Sequence, residues 1–162
     1  MFRKMRRFKQ EMDHDSCVKL IEGQTHGVLS VIGDDGYPYG VPLSYVFDGH
    51  DFYFHCALQG HKLDAIMRDP KVSFTIVGKD QIVPEEYTTY FQSVIAFGTM
   101  ERLDGEKKKA SLSLLGNHYT PGDENGVKEE VEKTLPRVCV LQMHVAYMSG
   151  KQARELMKAS NH

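Results

Sequence analysis

FYFHCALQGHKLDAIMRDP, Phe52 to Pro70, passes from a strand pattern to a helix pattern within one short segment. On a strand, Phe52, Phe54 and Cys56 share one face and Tyr53, His55 and Ala57 the other. After the pause at Leu58-Gln59-Gly60, the stripe Leu63, Ile66 and Met67 has helical spacing, and Pro70 ends it. A helix that starts near Gly60 or His61 leaves backbone N–H groups unpaired at a partly positive end. First turns favour Asp or Glu, and a cation there costs roughly 0.3–1 kcal/mol. This one carries His61 and Lys62. A bound phosphate would reverse the sign, since a charge-assisted hydrogen bond contributes roughly 1.5–3 kcal/mol. Two readings follow: an exposed His-Lys pair without a ligand, or an anion cradle made of Gly60, His61 and Lys62. Zinc held by His55, Cys56 and His61 is disfavoured, because neighbours on a strand point to opposite faces and the chain has no C-x-x-C or H-x-x-x-H. The same geometry separates Cys56 as a nucleophile from His55 as its base. Cys56 reads as core, and His55 as either a structural histidine or a ligand contact.

Outward from this segment, DSCVKLIEG predicts a short helix capped by Asp15 or Ser16 with Gly23 at its exit, followed by the strand GVLSVIG. Asp35-Gly36 carries hairpin chemistry. YPYGVPLSYVF then alternates, with Val41, Leu43, Tyr45 and Phe47 facing one way and Pro42, Ser44 and Val46 the other. Pro42 places this strand at an edge or at a bulge. KVSFTIV is a further strand, residues 78–88 read as a long polar loop, and TYFQSVIAFGTMERL is a strand with a bulge or close approach at Gly98. Helices follow at EKKKASLSLLGNHY and VKEEVEKTL, then the last strand RVCVLQMHVAYM and a helical turn or two in the tail. Gln142 and His144 read as an interface or a solvated face. Six strands in meander order with peripheral helices indicate a small antiparallel barrel.

The 162 residues suit a single domain, 1–162, with a basic arm at 1–12 and a tail at 150–162. A net charge of -2 argues against a general nucleic-acid binder. Arg3, Lys4, Arg6, Arg7 and Lys9 are followed by polar rather than apolar residues, so an export signal is not expected, and no apolar run suits a membrane span. The arm reads as solvated, or as reaching a cofactor phosphate or a partner subunit. Cys17, Cys56 and Cys139 are odd in number and widely spaced, which suits a reducing cytoplasm.

In order along the chain, GVLSV, YPYGVPLSYVF, FYFHCALQGHKLDAI, DPKVSF, FQSVIAFGTMERL and MSGKQARE resemble the pyridoxamine 5'-phosphate oxidase-like, FMN-binding split-barrel proteins. HCALQGHKLDAI is similar to the Nim-type branch, named for resistance to 5-nitroimidazole antibiotics. The resemblance spans about residues 5–155. It implies a six-stranded antiparallel split β-barrel, a cytoplasmic homodimer, and flavin in clefts between the subunits. It implies that Val41, Pro42, Leu43, Ser44 and Tyr45 run along the isoalloxazine. It further implies that His55, Cys56, Ala57, Gly60, His61 and Lys62 hold the ribityl phosphate, with His55 in a catalytic, substrate-side role. The implied cofactor is FMN, with FAD as the alternative. An adenylate would then extend past Lys62 along the N-terminal arm or Lys151 to Arg154. The implied activity is reduction of nitroimidazole-type or other small acceptors. With no G-x-G-x-x-G in the chain, an NAD(P)H donor would bind transiently in the substrate cleft. Vitamin B6 oxidases end in a basic segment containing Trp, whereas this chain has no Trp. A flavin carrier without turnover and a haem-binding split barrel are the rival readings.

Overall fold

A computed structural model describes residues 1–159; the end of the tail, 160–162, lies outside the described residues. The chain runs β1 (Glu11–Met12), α1 (His14–Glu22), β2 (His26–Ile32), β3 (Pro38–Ser44), β4 (Val46–Phe47) and β5 (Phe52–Ala57). It continues through α2 (His61–Arg68), β6 (Lys71–Val83), β7 (Thr88–Leu103), α3 (Gly105–Tyr119), α4 (Glu124–Thr134), β8 (Val138–Gln152) and α5 (Arg154–Ala159). Six strands are long, and β1 and β4 have two residues each. Every ladder is antiparallel.

The order in the sheet is β3-β2-β6-β7-β8-β5-β4, with β1 added beside β8. This is not the expected meander, since β2 pairs with β6 and β5 with β8. Local turns fix the β2–β3, β4–β5 and β6–β7 hairpins; the other pairings come from apolar faces meeting in the core. The sheet does not close. Its ends are β3 and β4, which are consecutive in the chain, so the strand entering at one edge crosses the split at Tyr45 and joins the other.

Several local expectations hold. Asp35 (φ 56°) and Gly36 (φ 77°) form the β2–β3 turn. Pro42 lies on the edge strand β3, where its missing N–H removes no ladder bond on the outer side. Gly98 faces a bulge in β8, and a Cβ there would sit 2.1 Å from the His144 carbonyl oxygen. Others are corrected. The cap of α1 is Asp13, whose carboxylate accepts from the Ser16 N–H at 2.7 Å, not Asp15 or Ser16. Residues 78–88 are not a loop: β6 continues to Val83 after a bulge near Gly78, and Tyr87 at φ 51° closes a long hairpin. The polar composition there reflects two-sided solvent exposure of paired strands. Gly150–Gln152, read as tail, finish β8.

The inner face of the sheet packs Phe52, Phe54, Phe74, Leu29, Ile76 and Met143 under α1 and α2. A second core on the outer side of β4, β5 and β8 joins Val46, Val140 and Leu103 to α3 and α4. In the N-terminal segment, Phe2 stacks on Tyr147 and β1 pairs with β8, while Arg3, Lys4, Arg6, Arg7 and Lys9 stay in solvent. Among the described residues no helix is long and apolar enough to cross a membrane.

Candidate functional site

The start of α2 has the backbone expected of an anion site. Its N-cap is Gly60 at φ 138°, and no side chain of the described residues caps it, so the first N–H groups lack intrahelical acceptors. Open space surrounds the position a Gly60 Cβ would take. His61 departs from the expectation. Its ring stacks on Tyr39 at 4.4 Å between centroids, and its Nε2 lies 3.3 Å from the Asp34 N–H and 3.5 Å from the Asp34 carboxylate. Arg68 pairs with the same carboxylate at 3.1 Å. His61 therefore pins the helix start to the β2–β3 turn, and Lys62, half-buried, is the first-turn cation left for an anion.

From Tyr39, beside His61, β3 runs on to Ser44, roughly 17 Å of strand. It is an edge strand, so alternate backbone N–H and C=O groups of Val41, Pro42, Leu43 and Ser44 point away from the sheet, Pro42 giving only its carbonyl. Tyr45 differs. Its side chain is 2% exposed in the inner core, burial pushes its hydroxyl upward, and that hydroxyl donates to the Ile21 carbonyl at 2.6 Å. Its own carbonyl accepts from the Tyr119 hydroxyl at 3.3 Å.

On β5, Cys56 turns into the inner core opposite Cys139, and burial pushes its thiol up to about 11. This is a packing group, inert as a nucleophile. His55 faces the other way, as the strand alternation requires, into a cavity of about 400 Å³ between β5, α3 and α4. Ala57 is exposed at the strand end. Sequence reasoning gave α3 and α4 as helices only. The groups they add, including Leu112, Tyr119 and Glu130, become neighbours of His55 through tertiary packing, and no local pattern announces them.

Within one chain, the expected adenylate route toward the tail is a long one. Ala57 pairs with Val138 at the start of β8, whereas Lys151 pairs with Glu11 near its end. The strand between spans roughly 40 Å. The Lys151–Arg154 segment thus lies far along β8 from the end of β5, while the start of the arm crosses the sheet at Phe97 and Tyr147, on which Phe2 packs.

Gln142 and His144 belong to a carboxylate network. His144 Nδ1 lies 2.9 Å from Asp51, its Nε2 lies 2.9 Å from Glu101, and Gln142 donates to Asp51 at 2.8 Å. The hydrogen bond with Glu101, foremost, raises the His144 pKa above its ordinary value, and the same bond lowers that of Glu101. These groups tie the β4–β5 turn to β7 and β8.

The fold is an open antiparallel split barrel with an uncapped helix start beside its edge strand. The family model described as pyridoxamine 5'-phosphate oxidase matches residues 13–152, and the chain belongs to that family. Among solved structures, a proposed 5-nitroimidazole antibiotic resistance protein from Bacteroides thetaiotaomicron is similar at 21% identity. That match has a TM-score of 0.74 and covers 88% of this chain and 86% of the other. A conserved hypothetical protein from Mycobacterium tuberculosis matches at 19% identity and TM-score 0.79, covering 95% and 93%. An FAD and heme binding protein from Mycobacterium smegmatis matches at 18% and 0.76, covering 93% and 80%. At these identities the likeness establishes the fold. The comparison with curated proteins yields no match.

Proposed function

We propose that the protein is a homodimeric flavin oxidoreductase that binds FMN between β3, the end of β5 and the start of α2, and reduces small acceptors of the nitroimidazole type. The observation that carries the reading is the uncapped start of α2, with Gly60 exposed and Lys62 half-buried beside an edge strand whose outward-facing backbone groups have no strand partner. These residues fit a phosphorylated flavin: N–H groups and a cation for the phosphate, and carbonyl and N–H groups of β3 for the polar edge of the ring. A bound flavin would supply the two-electron chemistry. The chain's own residues would hold it and offer the His55 imidazole to the acceptor beside α3 and α4. The family membership and the flavin-binding relative support the same reading. An NAD(P)H donor would enter the same cleft.

A second copy would cover the outer face of β2, β6 and β7. There Val28, Thr75 and Ile95 line up across the three strands, and Val28, Ile32, Val77 and Ile95 are exposed.

The test is to titrate flavin-free protein with FMN by fluorescence, reduce the complex with NAD(P)H, and reoxidise it anaerobically with a nitroimidazole. Saturable uptake with turnover supports the proposal. Uptake without turnover leaves a carrier, and an intense Soret band in place of flavin bands would indicate haem. His55→Ala should keep FMN affinity within about threefold while slowing reoxidation at least tenfold, a loss of about 1.4 kcal/mol in barrier lowering. Equal loss of folding and turnover would return His55 to a structural role.

A further inference from the structure

The cavity between β5, α3 and α4 has a composition unlike that of the α2 start. Its walls are Leu112, Leu115, Val127 and Val131, and Asp123 and Glu130 stand exposed at its mouth. No lysine or arginine among the described residues lines it. His55 opens into it with no hydrogen-bond or ion-pair partner among the described residues. The space is not slack between loosely packed helices. At Gly116 a Cβ would lie 2.6 Å from Val127 Cγ1, so α3 and α4 already touch there, and a Lys109–Glu132 ion pair joins them further along. The Tyr119 hydroxyl, on the cavity wall, holds the Tyr45 carbonyl. Tyr119 thus links the cavity wall to the chain just after the end of β3.

We propose that this cavity is the acceptor pocket, and that it takes a small planar heteroaromatic compound that is neutral or cationic and rejects one bearing a phosphate or carboxylate. The inference rests on the flavin reading for its place in a reaction, and on the cavity alone for its ligand chemistry. A volume near 400 Å³ suits a molecule of one or two rings. Apolar walls favour a flat ring, and His55 supplies one directional hydrogen bond. An anionic substituent would meet two carboxylates and no cation, so its desolvation would go uncompensated. Positive charge is gathered at Lys62 and negative charge at this mouth, which separates cofactor phosphate from substrate. A phosphorylated vitamin B6 vitamer is thereby excluded as substrate, although the family bears that name.

The experiment uses amide NMR of the full chain, flavin-free and FMN-loaded, titrated with 2-methyl-5-nitroimidazole carrying an aminoethyl, a hydroxyethyl or a carboxymethyl group on the ring nitrogen. Pyridoxine 5'-phosphate is the fourth probe. The amine and the alcohol should shift His55 and the α3–α4 amides saturably, and the carboxylate and the phosphate should bind at least tenfold more weakly. Glu130→Lys, at an exposed position, should reverse the order of amine and carboxylate. Val131→Phe should fill the cavity and abolish all shifts, its folding checked by retained FMN uptake. An equal affinity for amine and carboxylate would overturn the proposal, as would shifts lying elsewhere or an order unmoved by Glu130→Lys. FMN uptake in the same samples keeps the two readings apart. Uptake without cavity shifts sinks only the pocket, and cavity shifts without uptake sink only the flavin assignment.

Discussion

Replacing Lys62 by Ala tests the start of α2 most directly. Two basic side chains occupy the first turn, but the structure commits His61 to Tyr39 and Asp34, so the phosphate interaction falls on Lys62 and the backbone N–H groups. One charge-assisted hydrogen bond is worth about 1.5–3 kcal/mol. Lys62→Ala should therefore raise the FMN dissociation constant about ten- to a hundredfold. Without ligand the sign reverses, because removing a cation from a helix N-terminus stabilises it by a few tenths of a kcal/mol. Riboflavin lacks the phosphate and should bind parent and variant alike. His61→Ala should do the opposite of Lys62→Ala: it removes the contact between α2 and the β2–β3 turn, lowering apoprotein stability by about 1 kcal/mol while FMN affinity falls less than for Lys62. Fluorescence titrations with FMN and riboflavin, and thermal melts of both apoproteins, provide the assay. Unchanged FMN affinity in Lys62→Ala would refute the cradle, and so would an equal loss for both flavins.

Gly98→Ala places a methyl against the His144 carbonyl, backbone that cannot yield without breaking the β7–β8 ladder. It should cost about 3 kcal/mol, seen as a fall in Tm of roughly 6–12 °C; a fall under about 2 °C would show that the bulge adapts. His144 has a raised pKa, so its stabilisation is fully present below its ordinary value of 6.5 and is lost as pH rises through the folded value. With the side chain 46% exposed, the effect stays under about 1 kcal/mol. His144→Gln should accordingly lose most stability, relative to the parent, at mildly acidic pH. Melts of both proteins across the histidine range check this, and a difference that grew with rising pH would contradict it. Ile95→Lys on the outer sheet face should leave the fold intact and shift sedimentation from twice the 18.4 kDa chain to the chain itself.

Much of the fold was legible because its signals are local. The alternation in FYFHCA separates Cys56 from His55 whatever the rest of the chain does, Pro42 can sit only at an edge or bulge, and Asp35-Gly36 accepts the positive φ its turn requires. The misplaced basic pair at the start of α2 was likewise visible, since helix polarity is set by the backbone itself. Strand order was not legible. Period-two patterning says which face of β2 or β5 is buried but not against which neighbour, and the pairings β2–β6 and β5–β8 join segments more than forty residues apart. The extent of the β6–β7 hairpin was hidden for a related reason: strands wetted on both faces carry the composition of a loop.

What the sequence by itself determined is the place of the main strands and helices, the two faces of each strand, and the chemistry of Gly60, His61 and Lys62, because these follow from backbone geometry within one turn or one pleat. Only the tertiary structure decided that His61 is spent on Asp34 and Tyr39, that Tyr45 offers no side chain to a ligand, and that His55 opens into a cavity walled by α3 and α4. Those outcomes depend on which surfaces compete for burial once the chain collapses, a competition among residues far apart in sequence that no local pattern records.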